Sequence, residues 1–596
     1  MSIPKDTVTD LPRPIPERSG ETRARRSSRS DLRWAAGAIL LAPVAWVLNG
    51  GAALAQAGSI DAYVYTGYAN HYGALLQRYG LTYYSARVGT IFPEAMLGHL
   101  FGSMAGYYAW HYLLAVTALG SVYGIGRRYY GVPTAAVATA LLVAVPWLAK
   151  ELIWDYVDGP AIAYLLLGMF LVLGVRSRPA PRWFAAGCAF SLAIACNFFV
   201  VTIVGAFVGA WLLFGFAGRV LGQRARGALW VFGGVVATQA GLGAFMALRY
   251  PKAGFWFMGI NLDYSDGLLA GGSRTYYASF GAALHTLPFL WVPIVAAVAA
   301  VVLACATPVL RPLPERRRLV FLSATYLCAC WLAFVAAHNQ GTAVLGLDFY
   351  VSYFIPAFFL VVIVTVGELM MQLGPARARH ASVIAIAALV VALALFRYAP
   401  GSLPPRRLVF MLGIALVCLL PLARRWPVVV ALIAGALIFL LPFAFTGSAG
   451  NPYEAIVRND GQNFERDVYR HAVDFQDGVL AAVPTDRSVG FWYEVEAGSW
   501  LNSVQSTFLW GYSLLSVVQP MPNVDADVTN AAGRFDYVVL LSPRAGPVRA
   551  GARALCRAGV GLTPVARKVL RGDAVDLHYT VFQKSESGLC PRGLAA

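Results

Sequence analysis

Long apolar blocks recur between residues 34 and 445, and they limit the possible folds of this 596-residue chain more than any other feature. Each block approaches the roughly 20 apolar residues that an α-helix needs to cross the hydrocarbon core of a bilayer. Only 13% of the residues are charged, whereas a soluble globular protein has about 25%. The sequence therefore predicts a mostly α-helical, polytopic transmembrane bundle.

The predicted spans number about 11 to 13, because several blocks are short for a span. They cover residues 34–55, 105–126, 132–148, 160–175, 183–198, 200–216, 228–248, 287–309, 319–337, 349–371, 381–396, 408–422 and 428–445. The segment 183–216 also allows one long span or a re-entrant pair.

Basic residues give the orientation of the bundle. The net charge is +17, and much of the excess lies in the tail 1–33 and in short arginine clusters between alternate blocks, as the positive-inside rule expects for cytoplasmic segments. Residues 1–33 are predicted to be a disordered cytoplasmic tail. This placement of charge argues against nucleic-acid binding. The loop with Arg397, Arg406 and Arg407 is an exception to the alternation.

With the arginine-rich loops on the cytoplasmic side, the predicted topology divides the chain into three parts. The tail is followed by a transmembrane domain, 34–446, whose loops 56–103, 149–159, 249–286 and 338–348 face the outside. Residues 447–596 have ordinary soluble composition and predict a small α/β domain on that outer side. Cys556 and Cys590 are its only cysteines, and an oxidising compartment favours a disulfide between them.

Polar side chains from separate outer loops are predicted to meet at one membrane surface. Asp61 follows the first span, and the next outer loop, LAKELIWDYVDGP, contains Lys150, Asp155 and Asp158. His338 and Asn339 lie in a later outer loop. Charged groups at a membrane boundary are costly unless they are hydrated, paired or used in function. The pattern indicates a convergent polar site on the outer surface.

Three short strings carry a family resemblance. They are Asp61-Ala-Tyr-Val-Tyr-Thr-Gly-Tyr, Tyr83-Tyr84-Ser85-Ala86-Arg87 and Asp155-Tyr156-Val157-Asp158-Gly159. Together with the order of spans, loops and soluble domain, they resemble the GT-C superfamily of membrane glycosyltransferases, such as the protein O-mannosyltransferases and the aminoarabinose transferase of lipid A. The architecture that resembles this superfamily covers about 450 residues.

The resemblance implies roles for particular residues. Asp61 matches the first-loop acid, which acts as general base or holds a metal, and Asp155 and Asp158 match the second acidic position. Arg87 and Lys150 are the candidates to bind the donor phosphate. Tyrosines and polar residues are expected to line a substrate groove: Tyr65, Tyr83, Tyr84, Tyr350, Tyr353, His338 and Asn339. The string Leu347-Asp348-Phe349-Tyr350 lacks the basic residue that the family often has there, which argues against phosphate binding by this loop.

The same resemblance implies the reaction and the partners. A sugar would pass from a polyprenyl-phosphate donor to a lipid, glycan or protein acceptor on the periplasmic face of a bacterial inner membrane, with inversion at the anomeric carbon. The resemblance also allows a divalent ion (Mg²⁺, Mn²⁺ or Ca²⁺) bound by Asp61 and Asp155, and it implies no other cofactor. Two other functions stay open: another lipid-linked glycan enzyme (a ligase or polymerase), and a lipid or glycan transporter. Low histidine content and the acid-rich first outer loop disfavour the ligase or polymerase. Most ionisable residues lie at span ends, with Glu368 as the chief exception, which disfavours the transporter.

Overall fold

A computed structural model gives the fold. It describes residues 33, 35–37, 40, 60–143, 151–152, 156–174, 179–215, 221–267, 291–310, 312–339, 348–373, 378, 462–509, 521, 523–585, 587–588 and 590. The predicted spans 381–396, 408–422 and 428–445, nearly all of 34–55 and the tail 1–33 lie outside this set.

The described part of the chain before residue 374 is helical. Its helices are α1 (Ile60–Tyr79), α2 (Val88–Phe101), α3 (Ser103–Tyr130), α4 (Val132–Val143), α5 (Asp158–Leu173), α6 (Pro179–Cys196), α7 (Val200–Phe214), α8 (Leu221–Arg249), α9 (Ile260–Gly267), α10 (Trp291–Leu310), α11 (Pro314–Asn339), α12 (Asp348–Val351) and α13 (Ile355–Leu373). Short 3₁₀ turns occupy Phe257–Gly259 and Ser352–Phe354.

Most predicted spans in the described regions coincide with these helices. Among the described residues, three helical segments are long and apolar enough to cross a membrane, at Gly222–Arg249, Pro314–Asn339 and Ser352–Gln372. Five shorter apolar helices lie at Val132–Leu142, Asp158–Leu173, Ala180–Cys196, Val200–Phe214 and Ala296–Cys305. The segment 183–216 forms two helices separated at Asn197, where the amide oxygen accepts a hydrogen bond from the Phe199 backbone N–H at 3.2 Å. Of the alternatives for this segment, one continuous span is therefore wrong.

The first predicted outer loop contains two helices joined by a compact turn. Helix α1 ends at Tyr79 and is followed by Gly80, whose φ of +72° is a left-handed conformation that suits glycine. Thr82 and Ser85 then bond reciprocally: the Thr82 N–H donates to Ser85 Oγ at 2.8 Å, and the Ser85 N–H to Thr82 Oγ1 at 3.1 Å. The Tyr72 hydroxyl donates to the Ser85 carbonyl at 2.8 Å. The turn that carries Tyr83, Tyr84 and Arg87 is thereby fixed against α1.

The C-terminal region is a small α/β domain, as predicted. It contains α14 (Gln462–Ala482), α15 (Trp500–Ser506), α16 (Ala526–Gly533) and α17 (Ala545–Arg557). Its strands are β1 (Val489–Tyr493), β2 (Tyr537–Ser542), β3 (Leu562–Leu570) and β4 (Leu577–Lys584), in the order β1-β2-β4-β3. β1 and β2 are parallel, and the other pairs are antiparallel. The predicted disulfide joins Cys556 to Cys590.

The C-terminal domain packs directly on α1. The buried Gln476 side chain donates to the carbonyls of Gly67 on α1 at 3.2 Å and of Thr507 at 2.8 Å. At the far end of α1, Arg78 donates to the Val483, Pro484 and Arg487 carbonyls. Contacts therefore tie the domain to the helix that begins with Ile60-Asp61.

Candidate active site

Asp61 lies in the first turn of α1, where a carboxylate interacts favourably with the helix N-terminus. Tyr84 donates to its Oδ1 at 3.1 Å, and Tyr156 donates to its Oδ2 at 3.3 Å. Each carboxylate oxygen therefore accepts a phenolic hydrogen bond, one from the turn after α1 and one from the segment before α5. These two donors fix the orientation of the carboxylate.

Two opposing effects set the pKa of Asp61. Burial raises the pKa of this carboxyl above its ordinary range, and the hydrogen bonds from Tyr84 and Tyr156 and the charge of Arg87 act in the opposite direction. The net shift is upward, because desolvation disfavours the charged form more than these partners favour it. A carboxylate with a raised pKa is a stronger base than an ordinary one.

Asp158 begins α5 and is fully buried. Its Oδ1 accepts hydrogen bonds from the hydroxyl of Tyr353 and, at 3.2 Å, from the side-chain amide of Asn197. These partners come from the break between α6 and α7 and from the 3₁₀ turn before α13. Three parts of the helical bundle therefore meet at this carboxylate.

Arg87 acts electrostatically on Asp61 and is also buried, with 4% of its surface exposed. Its Nη1 donates to the Cys196 carbonyl at 2.8 Å, and its guanidinium lies 4.0 Å from the centroid of the Tyr83 ring. A cation over an aromatic face is stabilised by the ring quadrupole. The helix break at Cys196-Asn197 thus contacts both Arg87, through its carbonyl, and Asp158, through its amide.

Aromatic rings surround these charges. The Tyr65 ring lies 5.7 Å from that of Tyr84 and 5.9 Å from that of Tyr156, measured between centroids. On the other side, Phe199 lies 5.7 Å from Tyr350 and 6.3 Å from Tyr353. Burial raises the pKa of Tyr156 well above its ordinary value, so this phenol stays a hydrogen-bond donor. We call Asp61, Arg87 and Asp158 with these aromatic residues the polar box.

The structure brings most of the predicted site residues into one place. Around Asp61, Arg87 and Asp158 are Tyr65, Tyr83, Tyr84, Tyr350 and Tyr353. His338 is buried one turn beyond Phe334, which packs on Phe199, whereas Asn339 at the end of α11 is exposed. Lys150 and Asp155 lie outside the described residues, so their parts in phosphate binding, catalysis and metal binding stay predictions.

Two residues that hydrogen-bond to the acids of the site, Tyr156 and Asn197, were not among the predicted site residues. Tyr156 lies between the predicted Asp155 and Asp158, and this position in the sequence could have indicated that it belongs to the site. Asn197 interrupts an otherwise apolar segment, and a lone amide between two apolar helices was a second signal. Neither the Tyr156–Asp61 contact nor the Asn197–Asp158 contact follows from the sequence, because each joins elements 39 or 95 residues apart.

The fit of a divalent metal depends on a residue outside the described set. Among the described residues, no group of three His, Cys, Asp or Glu side chains is placed to hold a metal ion. Both oxygens of Asp61 accept tyrosine hydrogen bonds, and the predicted partner ligand is Asp155. The metal site therefore stays a prediction.

Comparisons with known proteins were made by sequence and by structure. No protein-family model and no curated protein matches the chain. Among solved structures, ArnT from Cupriavidus metallidurans bound to undecaprenyl phosphate has a TM-score of 0.44 and 14% identity, covering 94% of this chain and 99% of that one. The oligosaccharyltransferase of Archaeoglobus fulgidus in the apo form has a TM-score of 0.44 and 13% identity, covering 94% of this chain and 75% of that one.

The two solved structures align with 94% of this chain at low identity. With identities of 13% and 14% and TM-scores of 0.44, they do not carry the role of a residue from one protein to another.

Proposed function

We propose that this chain is a membrane glycosyltransferase that transfers a sugar from a polyprenyl-phosphate donor to a hydroxyl acceptor on the extracytoplasmic face. The observation that carries the proposal is the polar box. A carboxylate with a raised pKa, held at both oxygens by phenols, lies within electrostatic reach of a buried arginine. Asp61 would supply the base and Arg87 the cation for a single displacement at the anomeric carbon of the sugar.

Asp61 would act as the general base. The attacking hydroxyl loses its proton as its oxygen bonds to the anomeric carbon, and a carboxylate within hydrogen-bond reach accepts that proton. Tyr84 and Tyr156 bond the same carboxylate from two sides and keep its orientation while the proton moves. A raised pKa increases the driving force for this transfer, provided that the carboxyl is ionised at the working pH.

Arg87 would stabilise the leaving group. When the bond between the anomeric carbon and the phosphate oxygen breaks, negative charge develops on the polyprenyl phosphate, and a fixed guanidinium is suited to it. The contacts with the Cys196 carbonyl and the Tyr83 ring hold the side chain in place before the reaction. A fixed donor needs little rearrangement in the transition state.

The stereochemical outcome proposed is inversion. A base on one side of the sugar and a departing phosphate on the other define a single displacement, in which the acceptor oxygen attacks the face opposite the leaving group. Asp158 would have a positioning role, since its contacts with Asn197 and Tyr353 hold together the elements that surround Arg87.

Transfer of radiolabelled sugar in liposomes tests the proposal. A panel of polyprenyl-phosphate sugars is offered to the wild-type chain and to Asp61→Asn. We expect transfer or donor hydrolysis by the wild type, and a loss of about 10³-fold in Asp61→Asn, within the range typical of a removed general base. The inverted product is identified by NMR of the anomeric proton.

A matched control separates loss of charge from loss of the base. Asp573→Asn makes the same chemical change at an exposed position in the hairpin between β3 and β4 and should keep wild-type activity. Equal transfer by wild type and Asp61→Asn would remove Asp61 from the chemistry. Folded protein that is inactive with every donor would contradict the glycosyltransferase assignment and favour the ligase or transporter alternatives.

A further inference from the structure

The C-terminal domain has a basic cleft on the side of its sheet that faces away from α1. The two faces of the sheet pack in separate cores. Tyr579 and Val581 pack in the same core as Phe475 of α14, which contacts α1. Phe582 on the opposite face packs with Val548 of α17. Helix α17 therefore covers the outer face of the sheet, and α14 covers the face toward the transmembrane bundle.

Helix α17 leaves the β3 end of this outer face uncovered. A cleft of about 160 Å³ opens there between the first turns of α17 and the β3–β4 hairpin, large enough for a small chemical group rather than a single water. Val548, Pro564 and Phe582 contribute apolar lining, and Arg549 and Arg567 stand on its two sides. The lining contains no acidic residue, and His578 adds an imidazole to it. Lys568 also borders the cleft, but its amine lies on the other face of the sheet, next to Gly478 of α14.

Both arginines are available to an anion. Arg549 and Arg567 are exposed, and within the part of the chain that the structure describes neither forms an ion pair with a carboxylate. By contrast, Arg571 near the same hairpin pairs with Asp576 at 2.5 Å. Two unpaired guanidinium groups beside an apolar floor match a carboxylate or phosphate group, which guanidinium binds bidentately.

The register of the β3–β4 hairpin places Arg567 and His578 on the same face of the sheet. Thr580 is the register partner of Arg567 on β4, two residues from His578 on the same face. Burial lowers the pKa of the His578 imidazole; Asp576 opposes this shift, and the charges of Arg571 and Arg567 add to it. Asp576 has the largest influence of these charges on His578, so the positive charge of the cleft is supplied by Arg549 and Arg567.

We propose that this cleft binds an anionic glycan, whose carboxylate or phosphate group lies between Arg549 and Arg567. The proposal deepens the proposed function by naming the class of acceptor, and it rests on that function for the link to transfer. The position of the cleft, on the face away from α1 and the bundle, favours a water-borne glycan over a lipid headgroup.

Binding to the full-length protein in nanodiscs of zwitterionic lipid tests the site. The probe is a fluorescent oligogalacturonate, and its neutral counterpart is a dextran oligosaccharide of the same length. We expect the anionic probe to bind and the neutral one not to bind. The double variant with Arg549→Gln and Arg567→Gln should bind the anionic probe about tenfold or more weakly, as expected when charge-assisted hydrogen bonds are lost.

Matched variants and vesicles distinguish the alternatives. Arg534→Gln with Arg557→Gln removes the same charge from exposed positions of the same domain outside the cleft and should change binding less than twofold. Equal weakening in both double variants would mean general electrostatic attraction and would overturn the site. Vesicles of phosphatidylglycerol that compete with the probe only when the cleft is intact would assign the site to lipid headgroups and also overturn it.

The binding assay uses no sugar donor, so its result is independent of catalysis. Asp61→Asn should bind the probe like the wild type, and the cleft variant should keep hydrolysis of the donor in the absence of acceptor. Loss of probe binding with intact donor hydrolysis supports the cleft and leaves the polar box unaffected. Intact probe binding in a chain that never processes a donor would contradict the proposed function alone.

Discussion

Two regions of this molecule use arginine in opposite ways. In the polar box, Arg87 is almost completely buried, lies over Tyr83 and donates to a backbone carbonyl. In the cleft of the C-terminal domain, Arg549 and Arg567 are exposed, with no carboxylate paired to them among the described residues. A buried, fixed charge acts strongly on a nearby reacting group, whereas an exposed one attracts ligands and is screened by salt.

The largest expected difference between the two regions is in kcat, when one arginine in each region is replaced by glutamine. Arg87→Gln should lower kcat by about 10²-fold, because a fixed donor to the leaving phosphate is lost. Arg567→Gln should leave kcat unchanged with a neutral acceptor and weaken only the binding of an anionic one. Steady-state kinetics with both acceptors measures the difference.

The control for Arg87 is a second arginine that lies over a tyrosine. Arg249 lies 5.4 Å from the centroid of the Tyr250 ring and is exposed at the end of α8. Arg249→Gln should keep full activity. A similar fall in kcat in both variants would assign the effect to lost packing of arginine on tyrosine rather than to phosphate stabilisation.

The packing between α1 and the C-terminal domain gives the next effect. A Cβ at Gly67 would lie 2.2 Å from the Thr507 carbonyl oxygen, a backbone atom that cannot move aside like a side chain. Gly67→Ala should lower the free energy of unfolding by about 2 kcal/mol, the usual scale for overpacking. It should also lower kcat, since the start of α1 carries Asp61. Thermal unfolding and transfer assays in liposomes measure both.

Gly73 provides the matched control on the same helix. A Cβ there would lie 3.5 Å from the Tyr250 ring, an ordinary contact. Gly73→Ala should be neutral or slightly stabilising, because alanine favours a helix over glycine. If Gly67→Ala were as well tolerated as Gly73→Ala, the close approach of α1 and the C-terminal domain would be wrong.

The smallest expected effect is a shift of the pH profile. Asp61 must be ionised to accept a proton, so activity should fall as the pH drops through its raised pKa, above the ordinary aspartate range. Tyr84→Phe removes a hydrogen bond that lowers this pKa, so the pKa rises further and the acidic limb of kcat/KM moves to higher pH. Maximal activity should fall only a few-fold, because Tyr156 still bonds the carboxylate.

The profile of Tyr83→Phe serves as the comparison for Tyr84→Phe. Tyr83 contacts Arg87 through its ring, and removal of its hydroxyl leaves that ring in place. Its acidic limb should coincide with that of the wild type. A shift of equal size in both variants would show that the limb reports a general disturbance of the turn.

The sequence by itself determined the elements of this protein. Apolar blocks of bilayer length predicted the helices, and the change to soluble composition predicted the C-terminal strands and the Cys556–Cys590 disulfide. These features are local, so the pattern of one segment is enough to predict them. Topology also predicted that Asp61 and Asp158 lie on the same side of the membrane.

Only the tertiary structure decided which side chains touch. The bonds of Asp61 with Tyr156 and of Asp158 with Asn197 and Tyr353 join segments 39 to 195 residues apart. The burial of Arg87 and the opening beside Arg549 and Arg567 likewise depend on how helices and strands pack. The spacing of residues along the chain determines which side chains share a face of a helix or strand. Which side chains of other elements contact that face is determined by the packing of the whole molecule.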